Sequence, residues 1–214
     1  MIPVVNRPVG LRALVLLSLS LVLAACSVAG GATPLPTGGP PDAAAECPTS
    51  QPPALPAGET RTVTIETDKG SLAIKIEADL SPIAAGNFVA LAACGFYDGI
   101  VFHRVVPGFV IQGGDPDGTG GGGPGYTIQD EPVTATYSRG TVAMARTPEP
   151  NSVGSQFFIV LDDAARAALA QANTYQIIGT VSSGMDAVDA IAAAADAELP
   201  SNPVVMTSVS VANP

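Results

Sequence analysis

Arg104 stands in a stretch that is otherwise mostly apolar, GFYDGIVFHRVVPGFVIQ from Gly95 to Gln112, with Gly113, Gly114 and Asp115 following. Phe109 and Gln112 come at short range, beyond a Pro107-Gly108 turn. A second block, MARTPEPNSVGSQFFIVL from Met144 to Leu161, sets Gln156 and Phe158 among small and apolar residues. A permanently charged guanidinium between aromatic walls, with no nucleophile nearby, suits polarising a neutral group more than breaking a bond. Glutamines beside such walls offer the donors and acceptors that fix a peptide backbone. Aromatics are only 5% of the chain, so two of them clustered with two glutamines weigh towards a pocket. The alternative is core phenylalanine with surface glutamine.

An unpaired guanidinium is costly to bury, so Arg104 is expected to open into a groove. Strand alternation would put it on one face with Phe102 and opposite His103. A salt bridge to a surface carboxylate is the other possibility for Arg104. His103 is the only histidine, has no serine or cysteine partner at a triad spacing, and reads as a hydrogen-bonded residue near the core. The run GGDPDGTGGGGPG, Gly113–Gly125, lacks the Gly-Lys-Ser/Thr ending of a phosphate loop, and its aspartates would repel phosphate. Read as a calcium loop it has Tyr126 where the last ligand should be glutamate. No metal or other cofactor is expected. A mobile loop beside a binding groove is the better account of this run.

These residues need elements to hold them. Arg61–Thr67 and Ser71–Glu77 alternate apolar and polar residues around an Asp68-Lys69-Gly70 turn, which predicts a hairpin. Ser81-Pro82 predicts a helix start with serine as cap, running to about Ala93 and stopped by Gly95. Further strands are expected at 101–106, 109–112, 141–145, 156–161, 175–181 and 204–211, with a second helix over 185–194. Residues 162–172 read as helix by composition, or as an ordered surface loop. Many short strands and two helices, without βα alternation, argue for a mainly β fold. The architecture expected is a closed, or nearly closed, eight-stranded antiparallel barrel capped by two helices.

The first 25 residues are expected to be a signal peptide. Arg7 and Arg12 precede an uncharged Leu-rich run, Ala13–Ala25, which is short for a bilayer span and ends in small residues. Leu23-Ala24-Ala25-Cys26 resembles the lipobox of bacterial lipoproteins, which implies acylation of Cys26 and anchoring at the extracytoplasmic face of a membrane. A plain secretory signal is the alternative. Residues 26–58, rich in Pro, Gly and Ala, are expected to be a flexible tether, and 59–214 the folded domain. Cys47 and Cys94 then remain as an even pair in an exported setting, able to form a disulfide or to stay free. Losing Arg7 and Arg12 leaves 7 basic residues against 19 acidic ones, a net charge of −12, which disfavours nucleic acid.

The blocks FHRVVPGFVIQGGDPDGTG (Phe102–Gly120) and MARTPEPNSVGSQFFI (Met144–Ile159) resemble the cyclophilin family of peptidyl-prolyl cis-trans isomerases, with weaker echoes at Ser81–Gly99 and Tyr175–Asp189. The resemblance runs from about Thr60 to the end of the chain and implies the same barrel fold. It implies Arg104 as the catalytic residue. It also implies a substrate groove lined by Phe109, Val110, Gln112, Gly118, Ala145, Arg146, Gln156, Phe158 and Tyr175. Its partners would be proline-containing unfolded or partly folded polypeptides, met by a monomer that touches the membrane only through its anchor. A non-catalytic chaperone gripping proline peptides would use the same groove. The family's tryptophan before Tyr175 is missing, since the chain reads LAQANTY, and Leu169 or a neighbour is the candidate stand-in.

Overall fold

The structure is a computed structural model that describes residues 46–212. The expected signal peptide, Cys26 and the tether as far as residue 45 lie outside the described residues. Eight strands form one antiparallel sheet: β1 (Thr60–Thr67), β2 (Gly70–Glu77), β3 (Arg104–Val106), β4 (Val110–Gly113), β5 (Thr141–Met144), β6 (Phe157–Val160), β7 (Ile177–Ser183) and β8 (Ser208–Ala212). Their spatial order is β3-β4-β6-β5-β7-β2-β1-β8. The hairpin expected at the start is β1–β2, registered from Thr60↔Glu77 to Thr67↔Gly70.

The sheet curls into a half-barrel with β3 and β8 at its margins, whereas the sequence predicts a closed, or nearly closed, barrel. The seam beyond β3 is spanned by irregular chain. Val101 bridges Val205, the Phe102 amide donates to Val204 O at 2.9 Å, and the Val105 amide donates to Glu198 O at 2.8 Å. Short strands with proline-containing loops between them cannot extend a continuous ladder there.

Three α-helices pack on the sheet: α1 (Pro82–Ala93), α2 (Arg166–Ala172) and α3 (Met185–Ala194). The ambiguous segment 162–172 is therefore helical. Asp162 caps a 3-10 turn, Asp163–Ala165, by accepting from the Ala164 amide, and α2 follows directly. At the start of α1, Ser81 and Pro82 take the expected positions, but the serine side chain makes no capping bond. The Glu131 carboxylate accepts from the Ile83 and Ala84 amides instead, both at 2.9 Å, where a negative group also favours the helix dipole. At the other end Gly95, with φ 78°, closes a Schellman motif: Phe96 N donates to Leu91 O and Gly95 N to Ala92 O.

The tether expected to reach residue 58 ends earlier. Leu55 is buried in the core, its amide donates to Pro82 O at 2.9 Å, and a disulfide joins Cys47 to Cys94 with Cα atoms 5.1 Å apart. Gly86 makes this strap possible, because a Cβ there would collide with the Pro53 carbonyl oxygen. A Pro- and Ala-rich composition hides such an extended strap, since its apolar contact is one leucine rather than a periodic face.

Strands β4, β5 and β6 bury both faces. Ile111, Val142, Met144, Phe157 and Ile159 point into the main core with Phe88 and Phe102. Their neighbours Val110, Ala143, Phe158 and Val160 form a second, smaller cluster with Tyr137, Leu169 and Ile177. That second face carries the site. Among the described residues no helix is long and apolar enough to cross a membrane.

Candidate active site

Register lays the key residues in one line. Arg104 pairs with Gln112 across β3–β4, Gln112 with Phe158 across β4–β6, and Phe158 with Ala143 across β6–β5. Directly opposed residues have Cβ atoms about 5 Å apart, so the guanidinium, the amide and the ring follow one another across the sheet. Residues 8, 46 and 15 positions apart could not announce this row by spacing alone, whereas the pairing makes it unavoidable.

Above this row lies a cavity of about 260 Å³ lined by Arg104, Phe109, Val110, Gln112, Ala145, Arg146, Phe158, Leu169 and Tyr175. Eight of the ten residues named from the sequence meet there, and Leu169 lines the cavity beside them. Phe158 is the floor: it is buried, and Tyr175 stands edge-on to it with ring centroids 5.3 Å apart. Tyr175 is itself fixed from behind, since the buried Tyr137 hydroxyl donates to Tyr175 O at 2.9 Å. Burial raises the Tyr137 pKa to about 12, so this hydroxyl keeps its proton.

Gln156 lies one step away. It lines an adjoining cavity of about 290 Å³ with the glycine loop, and the two cavities share Gln112, Ala145 and Arg146. Gln156 Oε1 accepts from Gln112 Nε2 at 2.9 Å, while Gln156 Nε2 donates to Gly120 O and Gly122 O at 3.0 and 2.9 Å. Gln112 Oε1 in turn faces Arg104 Nη1 at 3.5 Å, a long contact. Gly118 lines neither cavity. It has φ 67°, and its amide closes a turn onto Asp115 O at 3.1 Å.

The glycine loop is organised by Asp115, a buried carboxylate. It accepts from the amides of Asp117 and Thr119 at 2.8 and 3.0 Å, and from that of Gly120. Burial pushes its pKa up, but the amides of Asp117, Gly122, Gly120 and Thr119 outweigh that and hold it below the ordinary value. A Cβ at Gly122 would collide with the same carboxylate. The aspartates that spoil a phosphate loop thus shape the loop that presents two carbonyls to Gln156.

His103 is buried, as expected, yet both ring nitrogens lack a partner among the described residues. The expected side-chain hydrogen bond is absent among the described residues, and β3 starts only at Arg104. Phe102 and Val105 both enter the core, so the simple alternation breaks at residues 102–103. Burial lowers the His103 pKa, against a smaller opposing pull from Asp115, and keeps the ring neutral.

Three residues absent from the sequence reading complete the picture. Glu198 Oε1 accepts from Arg104 Nε at 2.8 Å, so Arg104 both opens to the cavity and pairs with a carboxylate. Asp130 pairs with Arg146 Nη1 at 2.9 Å. Tyr137 is the third. Each reaches its partner from a distant loop, and an isolated Glu, Asp or Tyr in a loop carries no local signal.

Comparison with known proteins agrees with this geometry. Residues 62–211 match the family model described as cyclophilin type peptidyl-prolyl cis-trans isomerase/CLD. A probable peptidyl-prolyl cis-trans isomerase of Brucella abortus is 38% identical over 157 residues, covering 68% of this chain and 78% of that protein. Peptidyl-prolyl cis-trans isomerase B of Bacillus subtilis is 46% identical over 118 residues, 52% of this chain and 79% of the relative. The chain spans 65% of a Synechococcus elongatus isomerase and only 22% of a putative bifunctional phosphatase/isomerase of Streptococcus pyogenes. A crystal structure of a cyclophilin type isomerase from Cryptosporidium parvum superposes with a TM-score of 0.65 at 33% identity, covering 73% of this chain and all of that one. The chain belongs to the cyclophilin-type peptidyl-prolyl cis-trans isomerase family, and its domain is of the isomerase class.

Proposed function

We propose that the protein accelerates rotation of X–Pro bonds in exported client polypeptides, without a covalent intermediate or cofactor, and that Arg104 assists the turn. The single observation carrying this is the row Arg104–Gln112–Phe158, which sets a guanidinium at the rim of an aromatic-floored cavity of about 260 Å³.

An amide resists rotation because its nitrogen lone pair is delocalised into the carbonyl, a barrier of roughly 18–20 kcal/mol. At X–Pro both isomers are populated and exchange takes tens to hundreds of seconds. Rotation localises the lone pair on nitrogen and creates an acceptor that barely exists in the planar state. A guanidinium N–H aimed at that position binds the twisted state better than either planar one, which is what lowers a barrier. Phe109, Val110, Phe158 and Leu169 would seat the pyrrolidine ring. Gln112 and the Ala145 carbonyl would hold the strand, since the Ala145 amide already donates to Gln156 O at 2.9 Å.

In the same reading residues 1–25 are removed, Cys26 is acylated, and the domain works as a monomer at the extracytoplasmic face of a bacterial membrane. The lipobox-like Leu23–Cys26 and the Cys47–Cys94 disulfide support an oxidising, exported setting. Mass spectrometry of the mature N-terminus tests the anchor: a diacylated or triacylated Cys26 is expected, and an unmodified one removes it.

The activity is tested by NMR exchange on a proline tetrapeptide. Arg104→Ala should keep the fold and lose about tenfold or more in kcat/KM, about 1.4 kcal/mol or more. Peptide binding without acceleration by the natural chain would identify a proline-binding chaperone instead.

A further inference from the structure

We infer that Glu198 is a positioning residue for Arg104, fixing its guanidinium from the open margin of the sheet. This rests on the isomerase reading above for its effect on turnover, and on geometry alone for its effect on the side chain.

Glu198 lies in the loop between α3 and β8, and it grips β3 twice. Its carbonyl accepts the Val105 amide at 2.8 Å, and its carboxylate accepts Arg104 Nε at 2.8 Å. The first contact supplies an edge strand with the partner its outer N–H lacks. The second takes the one guanidinium nitrogen that branches from the stem, and so sets the plane in which both Nη groups lie. The loop is braced where it follows, since Ser201 N donates to Asp196 Oδ1 at 2.9 Å, and Pro200 packs near Phe102 and Val105.

No other contact does this job. Gln112 meets Arg104 Nη1 only at 3.5 Å, and Nη2 makes no hydrogen bond among the described residues. An Arg side chain carries about 2 kcal/mol of rotamer freedom. Without Glu198, the stem would sample orientations that point the fork away from the ring seat. An exposed pair of this kind adds little to stability. Its consequence is geometric, because a misaimed donor loses its hold on a transient acceptor long before it costs the fold anything.

The carboxylate also partly neutralises the cation. Replacing it by an isosteric amide separates the two effects. Glu198→Gln keeps an oxygen acceptor for Nε and drops the charge, whereas Glu198→Ala drops both and keeps the main-chain bond to Val105.

The test uses the full chain with these two variants, the tetrapeptide exchange assay, and the Arg104 Nε–H signal by NMR. Glu198→Ala should lower kcat/KM about three- to tenfold, mainly in kcat, with KM changing less than about twofold. Glu198→Gln should restore most of that loss. The Nε–H proton should exchange with water at least about tenfold faster in Glu198→Ala than in the natural chain. Unchanged turnover in Glu198→Ala, a Glu198→Gln variant as slow as the alanine, or equal Nε–H exchange overturns the inference. A natural chain without isomerase activity would sink the functional reading instead, and the Nε–H measurement would still decide the positioning role.

Discussion

Arg104 and Arg146 line the same cavity, but the protein holds them in opposite ways. Arg146 has a side chain only 9% exposed, and its three nitrogens are spent on Asp130 Oδ1, Thr147 O and Glu149 O. Asp130 is locked further by exchanging bonds with Asn151, whose φ of 53° lets the loop turn back. Arg104 is 34% exposed and has one short bond, to Glu198, and one long one, to Gln112. A guanidinium with each of its three nitrogens engaged by the protein is a brace. One that keeps donors free at the edge of a cavity can still act on something that enters it. Lining a pocket therefore says little about a cation's role until its existing partners are counted.

The largest expected effects come from exchanging the two roles. Arg104→Ala should remove most catalysis with little change in Tm, and Arg104→Lys should also be poor, because a point charge lacks the fixed fork. If lysine matched arginine, directional donation would not be the basis of the activity. Asp130→Ala should do the reverse. It strands the largely buried Arg146 charge and breaks the Asn151 clasp, which should cost about 2 kcal/mol and lower Tm by about 4–8 °C, with a smaller loss in kcat/KM than Arg104→Ala. Thermal unfolding and exchange assays on both variants measure each axis. A catalytic loss in Asp130→Ala as large as that of Arg104→Ala would show that the brace is part of the chemistry.

A middle-sized effect is expected from the seat itself. Phe158→Ala hollows the second apolar cluster, where Val110, Leu169 and Tyr175 would lose their floor. Removal of a buried phenylalanine costs about 3–5 kcal/mol, so the variant is best measured at low temperature, where KM should rise more than kcat falls. A KM unchanged from the natural chain would move the ring seat elsewhere.

These contrasts also mark what the sequence could and could not say. Arg104, Phe109, Val110 and Gln112 were legible because a hairpin places them within a few residues, and Phe158 because its motif is dense. The hairpin β1–β2, α1 and α3 were legible from periodicity and from Pro82 and Gly95. The strap through Leu55 was not, because one anchoring leucine and the permissive Gly86 leave no pattern. Glu131 as the cap of α1, Glu198 on Arg104 and Asp130 on Arg146 were hidden for a common reason. Each is a carboxylate in a loop whose partner is set by tertiary register, and an acidic surface offers 19 candidates. The half-barrel with β3 and β8 at its margins was not legible either, since strand count fixes how many strands there are and not whether the last pair meets.

The smallest effect concerns His103, the neighbour of Arg104 on the buried side, and it sharpens the contrast between a free group and a satisfied one. Its ring nitrogens are buried without partners among the described residues, and burial lowers its pKa below the usual 6.5, with Arg104 adding to the shift and Asp115 opposing it. The unfolded chain takes up a proton near pH 6.5 while the folded chain does not, so stability is full above that pH and falls as pH drops towards the folded value. Because this is the chain's only histidine, a single Cε1–H resonance reports it without assignment by mutation. Its midpoint should lie below 6.5 and Tm should decline from pH 7 to pH 5, more than in His103→Asn. A midpoint at or above 6.5 would mean that Asp115, rather than burial, governs the ring, and that the segment before β3 is open to water.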